Sequence, residues 1–228
     1  MKSRQIFKKL KKQHRNILTV EEALNVLSSY KIPVVKGVLA KNDQESVQIA
    51  EKIGFPVAMK VVSKDVIHKT DVKGLLLNLD SAEEVRKGFA EVIKNVKKKI
   101  PKAKIEGVLI QKMIDGQEII VGGKKDPQFN QVLMFGLGGI FTEVFNDVTF
   151  RVIPIKKEDA EQMIKEIKGY KILEGYRGKK CDIKGLVDVL LKTSKLLEEN
   201  QEIKELDINP LFILAKGLVA VDARIVIG

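Results

Sequence analysis

FPVAMKVVSKDVIHKTDVKGLLLNLD, residues 55–80, is the stretch from which the fold can be read. VAMKVV is an apolar run interrupted by one lysine, Lys60, and reads as a strand; GLLLNLD reads as its partner. Between them lies a polar loop carrying His68, one of only two histidines in the chain. Gly54 and Pro56 stop a helix just before the first strand, and Ser81 caps a helix just after the second. The order helix, strand, loop, strand, helix predicts an α+β unit.

The pattern extends outward in both directions. Thr19 and Glu22 form a capping box, followed by Val20, Ala23, Leu24 and Leu27 at helical spacing. A helix starting at Asp43 puts Val47, Ala50 and Ile53 on one face, and the Ser81 helix buries Val85, Phe89, Val92 and Ile93. From Gly107 onward, GVLIQKMI, QEIIVGGKK, QVLMFGL and FRVIPI read as short strands separated by Asp-Gly, Asp-Pro and Gly-Gly punctuation. Helices follow at 156–168 and at 183–199, where Ile183, Leu186, Val187, Leu190, Leu191 and Leu197 share a side. ELDINPLFIL and GLVAVDARIVI close the chain as a hairpin turning at Ala215–Gly217. The predicted class is α+β (α/β), with a basic tail at 1–18 and two lobes, 19–110 and 111–228, facing each other across a cleft.

The chain has 228 residues and a net charge of +11. Seven of those charges sit within residues 1–20, as Lys2, Arg4, Lys8, Lys9, Lys11, Lys12 and Arg15, with no acid among them. Such a tail suits a phosphate backbone, a docking partner or plain solvent equally well. Aromatic residues make up 5% of the chain and tryptophan is absent, so the stacking platform of a single-strand nucleic-acid binder is missing. No apolar run reaches the ~20 residues of a spanning helix. The tail has neither the apolar core of a secretory signal nor the serine richness of a transit peptide. Cys181 is the single cysteine, which excludes an internal disulfide and fits a reducing, cytoplasmic setting.

Five features carry possible chemistry. Asp207 and Asn209 are two apart on one strand and share a face. A turn at Ala215–Gly217 sets Asp222 opposite Asn209 or its immediate neighbour, close enough for one Mg²⁺ to touch both. The alternative is a polar outer face of an edge hairpin; the apolar surroundings of Leu206, Ile208, Leu211, Val219 and Val221 favour the cation. Lys60 must either reach solvent at an edge or meet an anion such as a phosphate. GLGGIFTE, residues 136–143, offers open backbone N–H groups at Gly138 and Gly139, although it is neither a P-loop nor a dinucleotide fingerprint and reads equally as a tight turn. Arg151 is either a bidentate phosphate contact or the partner of Asp147 or Glu143. His68 is a neutral nucleophile at cellular pH if it is catalytic, and otherwise one polar loop residue among lysines.

Taken together, FPVAMKVVSKDVIHKTDVKGL, GQEIIVGGKKDPQFNQVLMFGLGGIFTEVFNDVTFRVIPI (116–155) and ELDINPL (205–211) resemble the β subunit of ADP-forming acetate (acyl)-CoA synthetases, relatives of succinyl-CoA synthetases with an ATP-grasp fold. The resemblance runs over residues 19–228. It implies that a partner α subunit, in an α₂β₂ assembly, makes acyl phosphate from acyl-CoA and phosphate and passes the phosphoryl group on through its own histidine. His68 would then relay it to Mg-ADP, making ATP, so the chain is active only beside its α subunit. The same resemblance assigns Lys60 to the nucleotide phosphates, Gln111, Lys112 and Met113 to the hinge beside the adenine, and Glu118 to ribose or metal-phosphate. Asn209 and Asp222 become Mg²⁺ ligands with Asp207 beside them, and Gly138, Gly139 and Arg151 hold the arriving phosphoryl group. Two departures stand out: Lys73 replaces a second glycine found in many relatives, and residues 1–15 match no part of the pattern. The competing readings are a stand-alone ATP-grasp carboxylate ligase without a phosphoenzyme, and a basic nucleic-acid binder acting through its first 20 residues.

Overall fold

The computed structural model describes residues 2–66, 69–139, 142, 144–175 and 180–228. The chain forms two compact units, a small one of Val35–Ile114 and a large one of Met1–Val34 with Asp115–Gly228.

The small unit is a four-stranded antiparallel sheet in the order β1-β4-β2-β3, built from β1 (Gly37–Ala40), β2 (Val57–Ser63), β3 (Leu75–Leu79) and β4 (Ile105–Lys112). Helices α3 (Asp43–Ile53) and α4 (Ala82–Lys99) pack on one face of it. Each starts on a side chain that accepts a backbone N–H, Asn42 from Glu45 and Ser81 from Glu84. Their apolar stripes, Val47 and Ala50 on one and Val85, Val92 and Val96 on the other, meet Val57, Met59, Val61, Val108 and Ile110 in a single core. All of β2 from Val57 to Val62 is buried, Lys60 included.

The large unit holds a second antiparallel sheet, order β10-β8-β5-β6-β7 with β9 also on β8. Its strands are β5 (Gln117–Asp126), β6 (Asn130–Leu137), β7 (Val148–Val152), β8 (Ile203–Ile213), β9 (Leu218–Ala220) and β10 (Arg224–Ile227). Ile119, Val121, Leu133, Phe135, Leu137, Leu206, Ile208, Leu211 and Ile213 point to a core shared with α1 (Lys2–Lys12), α2 (Val20–Ser29), α5 (Lys157–Glu166), α6 (Tyr170–Gly175) and α7 (Ile183–Glu199). α2 begins with the capping box read at Thr19 and Glu22.

The expected division of the chain needs correcting in two places. The basic stretch is a packed helix: Phe7 and Leu10 are 1% and 0% exposed and belong to the large unit's core, while Arg4, Lys8, Lys9, Lys11 and Lys12 face solvent. Residues 1–34 also leave the expected 19–110 lobe. Leu18 N–H donates to the Ile225 carbonyl, Ile227 N–H to Asn16, and Ala220 N–H to Pro33, so the start of the chain is hydrogen-bonded to its last strands. The signal for this lay in Ile6, Phe7 and Leu10 at helical spacing, masked by the lysines around them.

Phe7→Ala is therefore expected to lower the unfolding free energy by about 3–5 kcal/mol, as a cavity in a packed core does, whereas Lys8→Ala changes it by less than about 0.5 kcal/mol. Denaturant titration of both variants checks this, and equal, small effects would return the segment to a solvated tail.

Candidate functional site

In the small unit, β2 and β4 bring two of the expected residues onto one face, the one opposite α3 and α4. Lys60 is 5% exposed and pairs in register with Leu109; Gln111 is 1% exposed and pairs with Ala58. The two are diagonal neighbours on adjacent strands, a separation of ~7–8 Å. Both polar atoms of the Gln111 amide are buried without a hydrogen-bond partner. Lys112 behaves differently. Strand alternation turns its side chain to the helix face, where its Nζ lies 3.6 Å from the position a Cβ on Gly54 would take. Met113 is half-buried, and its N–H donates to the Pro56 carbonyl at 3.2 Å. Residues 111–113 thus offer alternating side chains and a shared backbone, not three side chains in one direction.

His68 lies outside the described residues, but the chain on each side of it is tied down. Asp65 accepts the Lys104 N–H at 2.7 Å, and Val66 packs against the small unit's core. On the far side Gly74 N–H donates to Lys69 at 2.7 Å and Lys73 N–H to Thr70 at 3.0 Å, while Val72 is buried. Lys73 has φ +50°, in the left-handed region that favours glycine. Lys73, marked in the sequence as standing where a glycine was expected, is thus a lysine on a backbone that favours glycine.

In the large unit, Glu118 meets the glycine turn that follows β6. Gly138 N–H donates to the Glu118 carbonyl at 2.9 Å, and a Cβ on Gly138 would sit 2.8 Å from Glu118 Cβ. Gly139 has φ +61°, and the Glu118 carboxylate Oε2 lies 3.8 Å from where its Cβ would be. Only glycine fits this close approach. Thr142 brackets the turn, its N–H donating to Gly139 and its hydroxyl to the Leu137 carbonyl. The Gly138 N–H, expected to be open, is thus taken up by Glu118, and the exposed Glu118 carboxylate beside the turn suits a hydroxyl or a cation-bound phosphate, since a bare phosphate would be repelled by it.

Arg151 is not part of this arrangement. It pairs in register with Leu133 and so faces the helices, where it forms a 2.6 Å ion pair with Glu166 of α5. Asp147 is not that partner, and Glu143 lies outside the described residues. Asp147 is 5% exposed and accepts the N–H groups of Lys168 and Gly169 at 2.7 and 2.8 Å, and its carbonyl lies 2.6 Å from the Cβ position of Gly136. It buttresses the glycine turn, a role that the sequence pattern, which marks it only as a charge, does not reveal.

The closing hairpin turns at residues 214–217, with Leu214 N–H donating to Gly217 at 3.0 Å. Leu211 pairs with Ala220 and Asp207 with Arg224, one continuous register across a gap in the ladder, which sets Asp222 against Asn209. β8 carries an irregularity here: Ile119 pairs with Leu211 but Val121 with Ile208, so Asn209 and Pro210 together oppose Ile120. Ile208 and Leu211 are both fully buried, so the extra residue leaves Asp207 and Asn209 on the face away from the helices. Asp207 Oδ1 is buried without a partner, and so is Arg224 Nε. Burial first, then the charges of Glu205 and Asp222, push the Asp207 carboxyl up to about 6 against the opposing pull of Arg224. Among the described residues no three His, Cys, Asp or Glu side chains form a metal cluster; the set here is one amide and two carboxylates. An all-oxygen set with a carboxylate oxygen lacking a partner fits a hard divalent cation such as Mg²⁺.

A family model described as an ATP-grasp domain matches residues 9–227. The chain belongs to the ATP-grasp family. Its similarity to individual proteins is narrower in scope. It is 49% identical to the acetate–CoA ligase [ADP-forming] II subunit beta of Pyrococcus furiosus, over 94% of this chain and 93% of that one. It is 45% identical to the acetate–CoA ligase [ADP-forming] I of Archaeoglobus fulgidus, matched over 100% of this chain but only 33% of that longer protein. That match leaves no segment at residues 1–15 without a counterpart. Among solved structures, it superposes with TM-score 0.85 and 44% identity, over 99% of this chain and 100% of the other, on an acetyl-coenzyme A synthetase 1 of Ca. Korarchaeum cryptofilum in complex with coenzyme A and Mg-AMPPCP, its phosphohistidine segment pointing towards the nucleotide binding site. As an ATP-grasp protein homologous to that β subunit, the chain carries the expected α+β sheets, with Lys60 and Gln111 on one of them, Glu118, Asp207 and Asn209 on the other, and Gly138, Gly139 and Asp222 in the connections between the strands of the second.

Two expectations follow from this geometry. A folded Asp207 titrating near 6 keeps a proton that the unfolded carboxyl, at 3.8, has already released. Stability without divalent cations therefore falls by about 2–3 kcal/mol as the pH rises from about 4 to 6, then levels off. In Asp207→Asn that fall disappears, and Mg²⁺ offsets it in the wild type above pH 6; denaturation in EDTA across this range tests it, and identical pH profiles for the two chains would refute it. Lys73→Gly relieves the left-handed strain and raises stability by up to about 1 kcal/mol after the glycine entropy cost, measurable by the same titration at one pH; a loss of stability would contradict it.

Proposed function

We propose that this chain is the nucleotide-binding β subunit of a cytoplasmic ADP-forming acetate–CoA ligase and relays phosphoryl groups through His68. The observation that carries the reading is the near-complete, 49% identical match to a β subunit of that name. Within the matched length lies the sequence IHKTD, whose flanking residues are hydrogen-bonded on both sides. The longer Archaeoglobus relative, of which this chain matches a third, supports a partner that supplies the remaining machinery. We assign that role to an α subunit, in an α₂β₂ assembly, that binds CoA and forms acyl phosphate.

In the direction of ATP synthesis, a ring nitrogen of neutral His68 attacks the phosphorus carried by the α subunit's histidine. The N–P bond there breaks as the new one forms. A terminal β-phosphate oxygen of ADP then attacks phospho-His68, giving ATP and returning the imidazole. Lys60, buried in β2, offers its ammonium to the nucleotide phosphates. Gly138 and Gly139 let the turn pass close to Glu118, whose carboxylate orients a ribose hydroxyl or the hydrated cation, while the Gly138 N–H stays bonded to the Glu118 carbonyl. Asn209, Asp222 and Asp207 would hold Mg²⁺, which when bound supplies neutralisation of phosphate charge. Arg151, held by Glu166, is left out of this set.

With γ-³²P-ATP and Mg²⁺, the purified chain should acquire an acid-labile, base-stable label on His68, and His68→Ala should show none above background. Equal labelling of the two proteins sinks the relay. With the α subunit added, acetyl-CoA, phosphate and ADP should yield ATP. ADP release with a carboxylic acid by this chain alone, without any labelled protein, would instead favour a stand-alone carboxylate ligase.

A further inference from the structure

We infer that the lysine-rich surface at the end of α4, with the chain that follows it, receives an acidic face of the phosphoryl-bearing partner protein. The inference rests on the relay reading above and deepens it, from the need for a partner to the surface the partner meets. Residues 94–104, KNVKKKIPKAK, hold six lysines and no acid. With the seven basic residues of 1–20 they exceed the whole net charge of +11, so the rest of the chain is slightly acidic. All six are exposed, and among the described residues none of them forms an ion pair. The first turns of α4 are different: Lys87 pairs with Glu83 at 2.6 Å, and Arg86 reaches Asp43 at 4.0 Å. Lysines in a last turn suit the negative end of a helix dipole, which accounts for Lys97, Lys98 and Lys99. It does not account for Lys102 and Lys104, which lie beyond the helix. There Ile100, Ala103 and Ile105 pack into the small unit's core and leave the two lysines outward on a fixed backbone.

Placement gives this charge its use. Asn95 Nδ2 donates to the Lys73 carbonyl at 3.4 Å, and the Lys104 N–H donates to the Asp65 carboxylate at 2.7 Å. Both flanks of the IHKTD sequence are thus bonded to this one segment. Lys98 and Lys99 follow Asn95 by three and four residues and share its side of the helix. The cations therefore stand beside the stretch that the relay reading loads with phosphate. A partner that presents a phosphohistidine brings a dianionic group to that place, and a complementary surround speeds the encounter. Exposed charges at the edge of an interface act on the rate of association more than on residence. Nucleic acid is the poorer occupant, because the segment has no aromatic side chain on which a base could stack.

The test is the association of the full-length chain with its α subunit, followed by interferometry between about 0.01 and 1 M salt, where the screening length falls from ~30 to ~3 Å. The wild-type association rate constant should fall at least about tenfold over that range. Reversing four charges together, Lys98→Glu, Lys99→Glu, Lys102→Glu and Lys104→Glu, should slow association at least about tenfold at the lowest salt and flatten its salt dependence. The same four positions changed to Gln should fall between that variant and the wild type, and this set decides the matter if the Glu set does not fold. Reversing four lysines of α1 instead, Lys8→Glu, Lys9→Glu, Lys11→Glu and Lys12→Glu, changes the net charge equally. It should leave the rate within about twofold of the wild type. Mg-ADP binding should be unchanged in all of these chains. Equal slowing by the two Glu sets overturns the inference, since net charge alone would then suffice, and so does a wild type whose association ignores salt. A 98–104 variant that loses binding to a DNA duplex but joins the α subunit at the wild-type rate overturns it in favour of nucleic acid. Failure of the wild type to join the α subunit at all overturns the subunit reading itself, and this inference with it.

Discussion

The pairing of β8 with its neighbours is the constraint on which the large unit depends. β8 is eleven residues long and bonds to β5 on one side and to β9 and β10 on the other. It places Leu206, Ile208, Leu211 and Ile213 in the core, and the same strand must also present Asp207 and Asn209 away from it. Strict alternation over eleven residues cannot keep 206, 208, 211 and 213 on one side, because the parity changes after 208. The additional residue opposite Ile120 resolves the conflict. It lets one strand seal a core above and below a polar kink, and it seats Asn209 and Asp222 at that kink. Core and candidate cation site are therefore coupled: a change that removed the irregularity would turn half the strand inside out. The same pairing recruits the start of the chain, since the last strands bond to Asn16, Leu18 and Pro33.

How much of this was legible in the sequence depended on whether the deciding signal was local. Thr19 with Glu22, Ser81, and the apolar stripe of α4 are short-range patterns, and they appear in the structure where periodicity and capping place them. The turn before Gly217 and the register of the last hairpin were likewise readable, because a hairpin's pairing follows from its turn. The N-terminal helix was not. Its buried positions include Phe7 and Leu10, set in a segment dense in lysine, and they are held in the core by a chain start that bonds to strands about two hundred residues later. Domain boundaries suffer in the same way. No composition shift marks residue 34, because what assigns residues 1–34 to the large unit is hydrogen bonding to distant strands.

Side-chain direction separates the site residues that come together from those that do not. Lys60 and Gln111 share a face because their rungs are offset by two; Lys112, one residue on, points to the helices. Arg151 follows the same rule on β7, where pairing with Leu133 commits it to the helix face and to Glu166. A resemblance transfers residues by position in a line, whereas a strand sorts them by parity, and parity depends on register. The irregularity in β8 shows why register could not be counted from sequence alone.

Charge balance ties the remaining features together. On the large unit's sheet, away from the helices, Asp207 sits with Glu205 and Asp222 against Arg224, which is itself paired with Glu205 at 3.4 Å. Burial and the excess of negative charge on that face raise the Asp207 carboxyl, and the same excess makes the face a poor host for a naked phosphate. On the small unit's sheet the buried ionisable side chain is a lysine, and beside it is an amide with no partner. Each sheet thus keeps a polar group that its own strands leave unmatched, a carboxylate oxygen of Asp207 on one and the amide of Gln111 on the other. Burial is what makes both costly, since water cannot replace the missing partner at either place.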